Sequence, residues 1–319
     1  MTEGASQLVG LEAIRAAAER IAPYVFHTPI VPMVPSGIGL KVESLQPVGA
    51  FKIRGAFNLI LALSDVERAR GVIAHSSGNH AQAVAYAAHR LGIKAVIVVP
   101  DNAPAVKLEA TKRWGAEIHL VSFMGNARYE VCAELAERHG YVVVPPFDSA
   151  AIIAGTGTIG LEILAQNPDV DSVFVPVSGG GLISGVAAAI KQSDPAIRVI
   201  GVEPALANDA QQSFRTGDLV RVPPEETVRT IADGLRVSQV GTLPWQHIRA
   251  YVDDIVTVTE EQIRDGMRRI ASEARLVAEP SGAVAPAAAL ANATDSKRKV
   301  AIVSGGNVDP QLYASIIGS

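Results

Sequence analysis

Lys52 stands in Gln46-Pro-Val-Gly-Ala-Phe-Lys-Ile-Arg-Gly-Ala-Phe-Asn58, between the aromatic Phe51 and the β-branched Ile53. Pro47 and Gly49 mark a turn, and the stretch after Gly55 has helical character, so Lys52 is expected at a loop-to-helix junction. An amine in apolar surroundings loses hydration of its ammonium form. Its pKa falls and the neutral, nucleophilic form becomes accessible, as Schiff-base chemistry requires. A lysine that lays its stem on apolar surface and keeps its head in water fits the same residues, so Lys52 alone decides nothing.

Three further stretches could do chemistry. In Ser76-Ser-Gly-Asn-His80, small hydroxyls, a glycine and an amide precede a helical run. Such a helix start exposes backbone N–H groups and side-chain donors to an anion, and a carboxylate suits it; an ordinary N-cap uses the same residues. In Val177-Ser-Gly-Gly-Gly-Leu182, consecutive glycines let the backbone wrap closely around a phosphate at a strand-to-helix turn. Gly179, Gly181 and Gly185 followed by Glu203 also imitate a dinucleotide fingerprint, so a nucleotide-binding oxidoreductase is a rival. In Glu203-Pro-Ala-Leu-Ala-Asn-Asp209, two carboxylates and an intervening carbonyl could supply hard oxygen ligands to Mg²⁺ or Ca²⁺, although a solvated acidic loop reads the same way.

The elements that must position these groups follow a βα rhythm. Short β-rich runs at 40–43, 72–74, 94–99, 117–121 and 141–144 alternate with helical patterns at 81–91, 105–114 and 126–139. A second series has helices at 157–166, 182–191, 260–273 and 282–293 and strands at 172–177, 198–203, 255–258 and 300–304, after an opening helix from Gly10 that ends near Pro23. This predicts an α/β fold of two open, mainly parallel, helix-covered sheets, with the run 145–148 crossing between them and 221–227 an exposed loop. At 319 residues, 48% hydrophobic, 19% charged and net charge -4, the chain reads as a globule with no basic stripe for nucleic acid. No secretory leader or apolar stretch of spanning length is evident, so a cytoplasmic location without membrane attachment is expected. Cys132, the only cysteine, excludes an intrachain disulfide and is expected to pack in the core.

Taken in order, Ala50-Phe-Lys-Ile-Arg-Gly-Ala56, the Ser-x-Gly-Asn-His helix start, the glycine loop and Ser304-Gly-Gly-Asn307 resemble fold type II pyridoxal phosphate enzymes, whose architecture is that of the tryptophan synthase β subunit. The likeness is strongest to the serine/threonine dehydratase and serine racemase group and covers nearly the whole chain. The resemblance implies that Lys52 is the Schiff-base lysine, that Phe51 lies beside the cofactor ring, and that Ser178, Gly179, Gly180, Gly181 and Leu182 cradle the phosphate. It further implies that Asn79 bonds the ring hydroxyl and Ser304 faces the pyridine nitrogen, while Ser76, Ser77, Asn79 and His80 hold the substrate carboxylate. A serine at the ring nitrogen does not keep it protonated, so the ring is a weaker electron sink, which favours β-elimination.

Three positions bear on the subgroup. A serine at 77 is the residue of racemases and 3-hydroxyaspartate dehydratases, where its hydroxyl can act as a second acid/base; many dedicated threonine dehydratases have alanine. Glu203, Asp209 and the Ala207 carbonyl match the divalent-cation site (Mg²⁺, Ca²⁺ or Mn²⁺) of the racemase branch. Arg128, in Gly125-Asn-Ala-Arg-Tyr129, falls where that branch has an arginine reaching toward the substrate side chain. The phosphate loop departs mildly from the group by opening Ser178-Gly, and the chain stops at Ser319, so isoleucine control through a C-terminal regulatory domain is not expected.

The resemblance therefore implies a pyridoxal phosphate dependent lyase, an ammonia-lyase of the dehydratase type, that converts L-serine, L-threonine or a related β-hydroxy amino acid to a 2-oxo acid and ammonia. Serine racemase and 3-hydroxyaspartate dehydratase are the alternatives. It also implies a homodimer, with residues 1–61 and 148–319 forming a large cofactor-binding domain and 62–147 a small domain that closes over the substrate.

Overall fold

The computed structural model of the protein describes residues 8–34, 36–103, 105–122, 127–291 and 297–318. Helix α1, Leu11–Ile21, buries Ile14, Ala17 and Ile21 on one face, the helical spacing of the sequence. Strands β1 (Ile30–Pro32) and β2 (Gly39–Val42) form an antiparallel pair. Helix α2 (Lys52–Leu61) begins at Lys52 itself, three residues before the start suggested by Gly55. A short helix α3 (Asp65–Arg70), with a capping box from Ser64 and Glu67, leads into β3 (Val72–His75) and α4 (Asn79–Leu91). Next come β4 (Ala95–Pro100), α5 (Ala105–Lys112), β5 (Glu117–Val121), α6 (Ala127–His139) and β6 (Val142–Val143).

After the crossing at 145–148, α7 (Ala150–Gln166) begins seven residues earlier than expected, and is followed by β7 (Ser172–Pro176), α8 (Gly181–Ser193) and β8 (Arg198–Pro204). Helices α9 (Asp209–Thr216), α10 (Pro224–Thr227) and α11 (Thr242–Tyr251) precede β9 (Asp254–Val258). The α10 turn lies within the stretch expected to be loop. Helix α12 (Glu260–Arg269) passes into a π-helical turn, Ile270–Ala274, that ends at Arg275 with φ 58°; α13 (Pro280–Leu290), β10 (Lys299–Val303) and α14 (Pro310–Ile317) complete the chain.

The strands form two sheets, ordered β1-β2-β10-β7-β8-β9 and β5-β4-β3-β6. Among the described residues, every pairing of these strands except β1 with β2 is parallel. Central strands β7 and β10 are buried at every position, as expected of parallel strands covered by helices on both faces. The last strand, β10, lies between β2 and β7, so the final strand of the chain occupies the middle of the larger sheet. Cys132 of α6 is buried against Ile73, Val96 and Val98 of the smaller sheet, and burial pushes its thiol up to about 11. No helix among the described residues is long and apolar enough to cross a membrane.

Candidate active site

The carboxyl ends of β3, β7 and β10 bring three of the sequence stretches to one place. His75–Asn79, the glycine turn and Ser304 line a cavity of about 260 Å³, and Lys52 joins them. Ligands of open α/β sheets bind at such strand ends. The lysine segment is seated there by backbone bonds: Phe51 N–H donates to the Ser304 carbonyl at 3.0 Å, Gly306 N–H to Gly49 at 2.9 Å, and Ala50 pairs with Gly305 as an isolated antiparallel bridge.

Lys52 Nζ donates to the Pro146 carbonyl at 2.6 Å and lies 5.1 Å from the centre of the Phe51 ring. Burial lowers its pKa to about 8, and what remains accessible of the side chain faces the cavity. Lys52 stands at a loop-to-helix junction, as expected from its neighbours, although the helix starts earlier than Gly55 suggested. Behind Lys52 lies an ionic network in which Lys41, Glu43 and Arg54 are buried and Glu162 is partly buried. Arg54, two residues on, donates through Nε and Nη2 to the two oxygens of Glu43, each at 2.8 Å, and through Nη1 to Glu162 at 2.6 Å. Lys41 donates to Glu162 at 2.5 Å and to the Thr28 carbonyl at 2.6 Å. Burial opposes the charge on Glu43, but Arg54 outweighs it and holds the carboxyl below its ordinary value.

At the start of α4, Ser76 Oγ accepts the Gly78 N–H at 3.2 Å, and Ser76, Ser77, Asn79 and His80 all line the cavity. Asn79 Nδ2 donates to Glu279 at 2.6 Å, and its Oδ1 accepts from Asn307 Nδ2 at 2.8 Å, so both ends of the amide are fixed in direction. The His80 ring is 2.8 Å from the Val144 carbonyl through Nε2, which must carry the proton. Burial, then the Lys52 charge, push its pKa down to about 3; this imidazole is neutral and offers an anion no charge. What His80 can give a carboxylate is its backbone N–H, in the first turn of α4, where amides lack intrahelical acceptors.

The phosphate-type loop lies at the N-terminus of α8. Gly180 is its N-cap with φ 89°, a conformation that disfavours a side chain, and a Cβ there would lie 2.7 Å from Pro244. Ser178, Gly179, Gly180, Gly181 and Leu182 all line the cavity. Ser304, buried, donates to the Ser281 carbonyl at 3.4 Å. Lysine, an anion-binding helix start with glycines, and a neutral hydroxyl thus converge in one cavity, the donor set a phosphorylated aldehyde cofactor requires.

Arg128, exposed, lines the same cavity with its guanidinium 4.8 Å from the Tyr129 ring centre, whereas Gly125 and Asn126 of its motif lie outside the described residues. Glu203, Ala207 and Asp209 do not line this cavity. Glu203 Oε1 and Oε2 accept the Ala210 and Gln211 N–H groups at 3.2 and 2.8 Å, at the start of α9, and the buried Asp209 Oδ2 has no partner among the described residues. Burial raises both carboxyls, and for Glu203 the Asp209 charge adds to it. An orphaned carboxylate oxygen beside a second buried carboxylate is a donor set that fits a hard divalent cation. No group of three or more His, Cys, Asp or Glu among the described residues is placed to hold a metal, so carbonyl and water oxygens would have to complete a shell.

Glu279, Asn307, Pro146 and Phe147 were not assigned to the site from sequence. Glu279 precedes Pro280 at the start of α13, so the helix-start signal was legible, but its contact with Asn79, 200 residues away, was not.

A family model described as pyridoxal-phosphate dependent enzyme matches residues 21–305. The chain is 44% identical to an L-threonine ammonia-lyase of Thermotoga maritima, over 97% of this chain and 78% of that one. It is 41% identical to an L-threo-3-hydroxyaspartate ammonia-lyase of Saccharomyces cerevisiae, over 94% of each. Among solved structures, maize serine racemase superposes with a TM-score of 0.92 at 42% identity and covers 98% of both chains.

Proposed function

Because the chain belongs to the pyridoxal-phosphate dependent enzyme family, we propose that it is an ammonia-lyase that dehydrates a small β-hydroxy amino acid, L-serine or L-threonine, to a 2-oxo acid and ammonia. The observation that carries this reading is Lys52, whose amine is lowered to about 8 at the floor of the cavity shared with the glycine loop and Ser304. The dinucleotide reading of the glycine turn gives Lys52 and residues 76–80 no role and is set aside.

Residues 178–182 would hold the cofactor phosphate, Asn79 the ring hydroxyl, Phe51 the ring face and Ser304 the pyridine nitrogen. When bound, the cofactor supplies an electron sink for the pair left at Cα after deprotonation. Lys52, neutral for a substantial fraction of the time near pH 8, accepts the Cα proton as general base. The substrate carboxylate sits at the start of α4, held by the Ser76 and Ser77 hydroxyls, the Asn79 amide and the first-turn amides that include His80. Ser304 contributes a neutral hydroxyl, which does not hold a proton on the ring nitrogen. Loss of the adjacent β-hydroxyl is thereby favoured over routes that need a long-lived carbanion. Residues 62–147 act as a small domain that closes over the cavity and excludes water.

Two specific observations favour further activities. Ser77 in the cavity supports return of a proton to Cα from a second group, hence racemisation, and Arg128 in its wall supports a second carboxylate, hence 3-hydroxyaspartate. Glu203, Asp209 and the Ala207 carbonyl would bind Mg²⁺ or a similar cation as a structural ion. A homodimer is supported by the exposed apolar residues Phe26, Leu45 and Val277, whose backbone or chain neighbours meet. Phe26 N–H bonds Gln46 Oε1, and a Cβ on Gly306 would touch both Ser44 and the Val277 carbonyl. A cytoplasmic location fits the single buried thiol.

The test incubates the protein with pyridoxal phosphate and Mg²⁺ and follows 2-oxo acid, ammonia and enantiomer formation from L-serine, D-serine, L-threonine and the four 3-hydroxyaspartates. Pyruvate or 2-oxobutyrate is expected. Absence of 2-oxo acid and ammonia from every substrate overturns the reading, and preferred hydroxyaspartate turnover shifts it to the Arg128 dicarboxylate form.

A further inference from the structure

The segment that carries the chain from β6 to α7 touches the cavity's parts at several points. The Pro146 carbonyl accepts the Lys52 amine at 2.6 Å. Phe147 packs on the glycine loop so closely that a Cβ on Gly179 would lie 2.2 Å from its ring, and one on Gly181 2.9 Å from its Cα. Asp148 lies outside the cavity and is exposed. Its Oδ2 accepts the Thr242 N–H at 2.9 Å and its Oδ1 the Leu243 N–H at 3.0 Å. These are the first amides of α11, whose own N-cap, Gly241, has no side chain to serve them. Gly241 in turn donates its N–H to the Gly179 carbonyl at 3.1 Å, and a Cβ on it would lie 2.9 Å from Asp148 Cγ.

Because a trans peptide is planar, anchoring the Gly179 carbonyl also sets the direction of the Gly180 N–H, which points the opposite way. Gly180 itself has wide conformational freedom at φ 89°, so nothing in its own chemistry holds that amide still. We propose that Asp148 is a positioning residue for the phosphate loop: by capping α11 from a distance of 94 residues it holds Gly241 on the Gly179 carbonyl and so aims the loop amides. The role rests on the assignment of residues 178–182 to the cofactor phosphate. It also explains why this cap is supplied by the crossing segment rather than by a residue of the α11 loop. The same three residues then hold Lys52, pack the loop and orient it.

Phosphate anchorage is separable from all other cofactor contacts by titrating the apoprotein with pyridoxal phosphate and with pyridoxal, which lacks the phosphate, and dividing the dissociation constant of pyridoxal by that of pyridoxal phosphate. Loss of a side-chain helix cap of ordinary strength, fully transmitted, lowers that ratio about five- to tenfold in Asp148→Ala, with pyridoxal binding unchanged. Asp148→Asn, which keeps one acceptor oxygen and the segment's shape, gives a smaller drop, about two- to fivefold, and serves if the alanine variant does not fold. Asp309→Ala is the control: Asp309 is the N-cap of α14 and its Oδ1 likewise accepts two helix amides, those of Gln311 and Leu312, far from the loop in sequence. It is expected to lower the melting temperature without moving the ratio. An unchanged ratio in both Asp148 variants, or an equal fall for pyridoxal and its phosphate, overturns the proposal. Gly179→Ala, which must push against Phe147, distinguishes the two levels. If it collapses the ratio while the Asp148 variants do not, the loop assignment stands and the Asp148 role fails; if it too leaves the ratio untouched, the loop assignment itself fails.

Discussion

At the scale of single residues, the role proposed for Lys52 depends on its charge state. Its folded-state pKa, about 8, lies below the ordinary lysine value because the ammonium is poorly solvated, so the neutral nucleophile accumulates as pH rises through 8. Apoprotein mixed with pyridoxal phosphate is expected to load about fivefold faster at pH 8 than at pH 7, read as growth of a visible absorption band, because the neutral fraction of an amine with this pKa rises by about that factor. A full tenfold rise for each pH unit from 7 to 9, with no levelling above 8, would show that the amine is not desolvated. Lys52→Ala is expected to lose turnover by about 10³-fold or more, because both covalent anchoring and the general base are removed. Ser77→Ala is expected to suppress interconversion of serine enantiomers more than 2-oxo acid formation, checked by chiral analysis of the remaining substrate. His80 gives no pH dependence near neutrality, because it is already deprotonated above about 3.

Elements hold these residues through charge as well as packing. Glu43 at the end of β2, Arg54 in α2 and Glu162 in α7 tie the lysine-bearing helix to both its neighbours. Glu43→Gln leaves the buried Arg54 guanidinium undercompensated and is expected to cost about 3–5 kcal/mol, measured by denaturant unfolding. The Glu43 carboxyl is held below its ordinary value in the fold, so its contribution is present above the ordinary carboxylate range and is lost as pH falls through the folded-state value. Acidification should therefore destabilise the parent protein more steeply than Glu43→Gln.

Across the whole molecule, the Glu203–Asp209 pair lies away from the cavity and bears on stability. Burial raises both carboxyls, so the folded chain takes up protons that the unfolded chain does not, and the cation-free protein loses stability as pH rises from the ordinary carboxylate range. Mg²⁺ bound at the proposed site would replace those protons. At a free concentration of roughly 100 times its dissociation constant it adds about 2.7 kcal/mol. The increase in melting temperature is expected to be larger at pH 8 than at pH 6 and absent in a Glu203→Gln, Asp209→Asn double variant. A charge on the proposed dimer surface, as in Leu45→Asp with Val277→Asp, is expected to give a monomer by sedimentation; an unchanged species would place any interface elsewhere.

Residue chemistry and local order were legible in the amino-acid sequence. Lys52 among apolar neighbours, the helix starts after β3 and β7, and the βα alternation all follow from patterns that operate within about twenty residues. Boundaries failed where tertiary contact overrode local propensity: α2 runs through Gly55, and α7 starts at Ala150 despite Gly155 and Gly157, because residues 53–60 of α2 and 152–160 of α7 are buried without a break. The edge strand β1, next to Pro29 and ending in Pro32, carried no β signal of its own and exists through its pairing with β2. Only the tertiary structure could decide that Asn79 meets Glu279 and Asn307, that His80 spends its ring proton on Val144, and that Asp148 caps a helix begun at Thr242. Side-chain type and spacing define what a residue can do, whereas partners 64 to 228 positions away are chosen by how the two sheets bring their strand ends together.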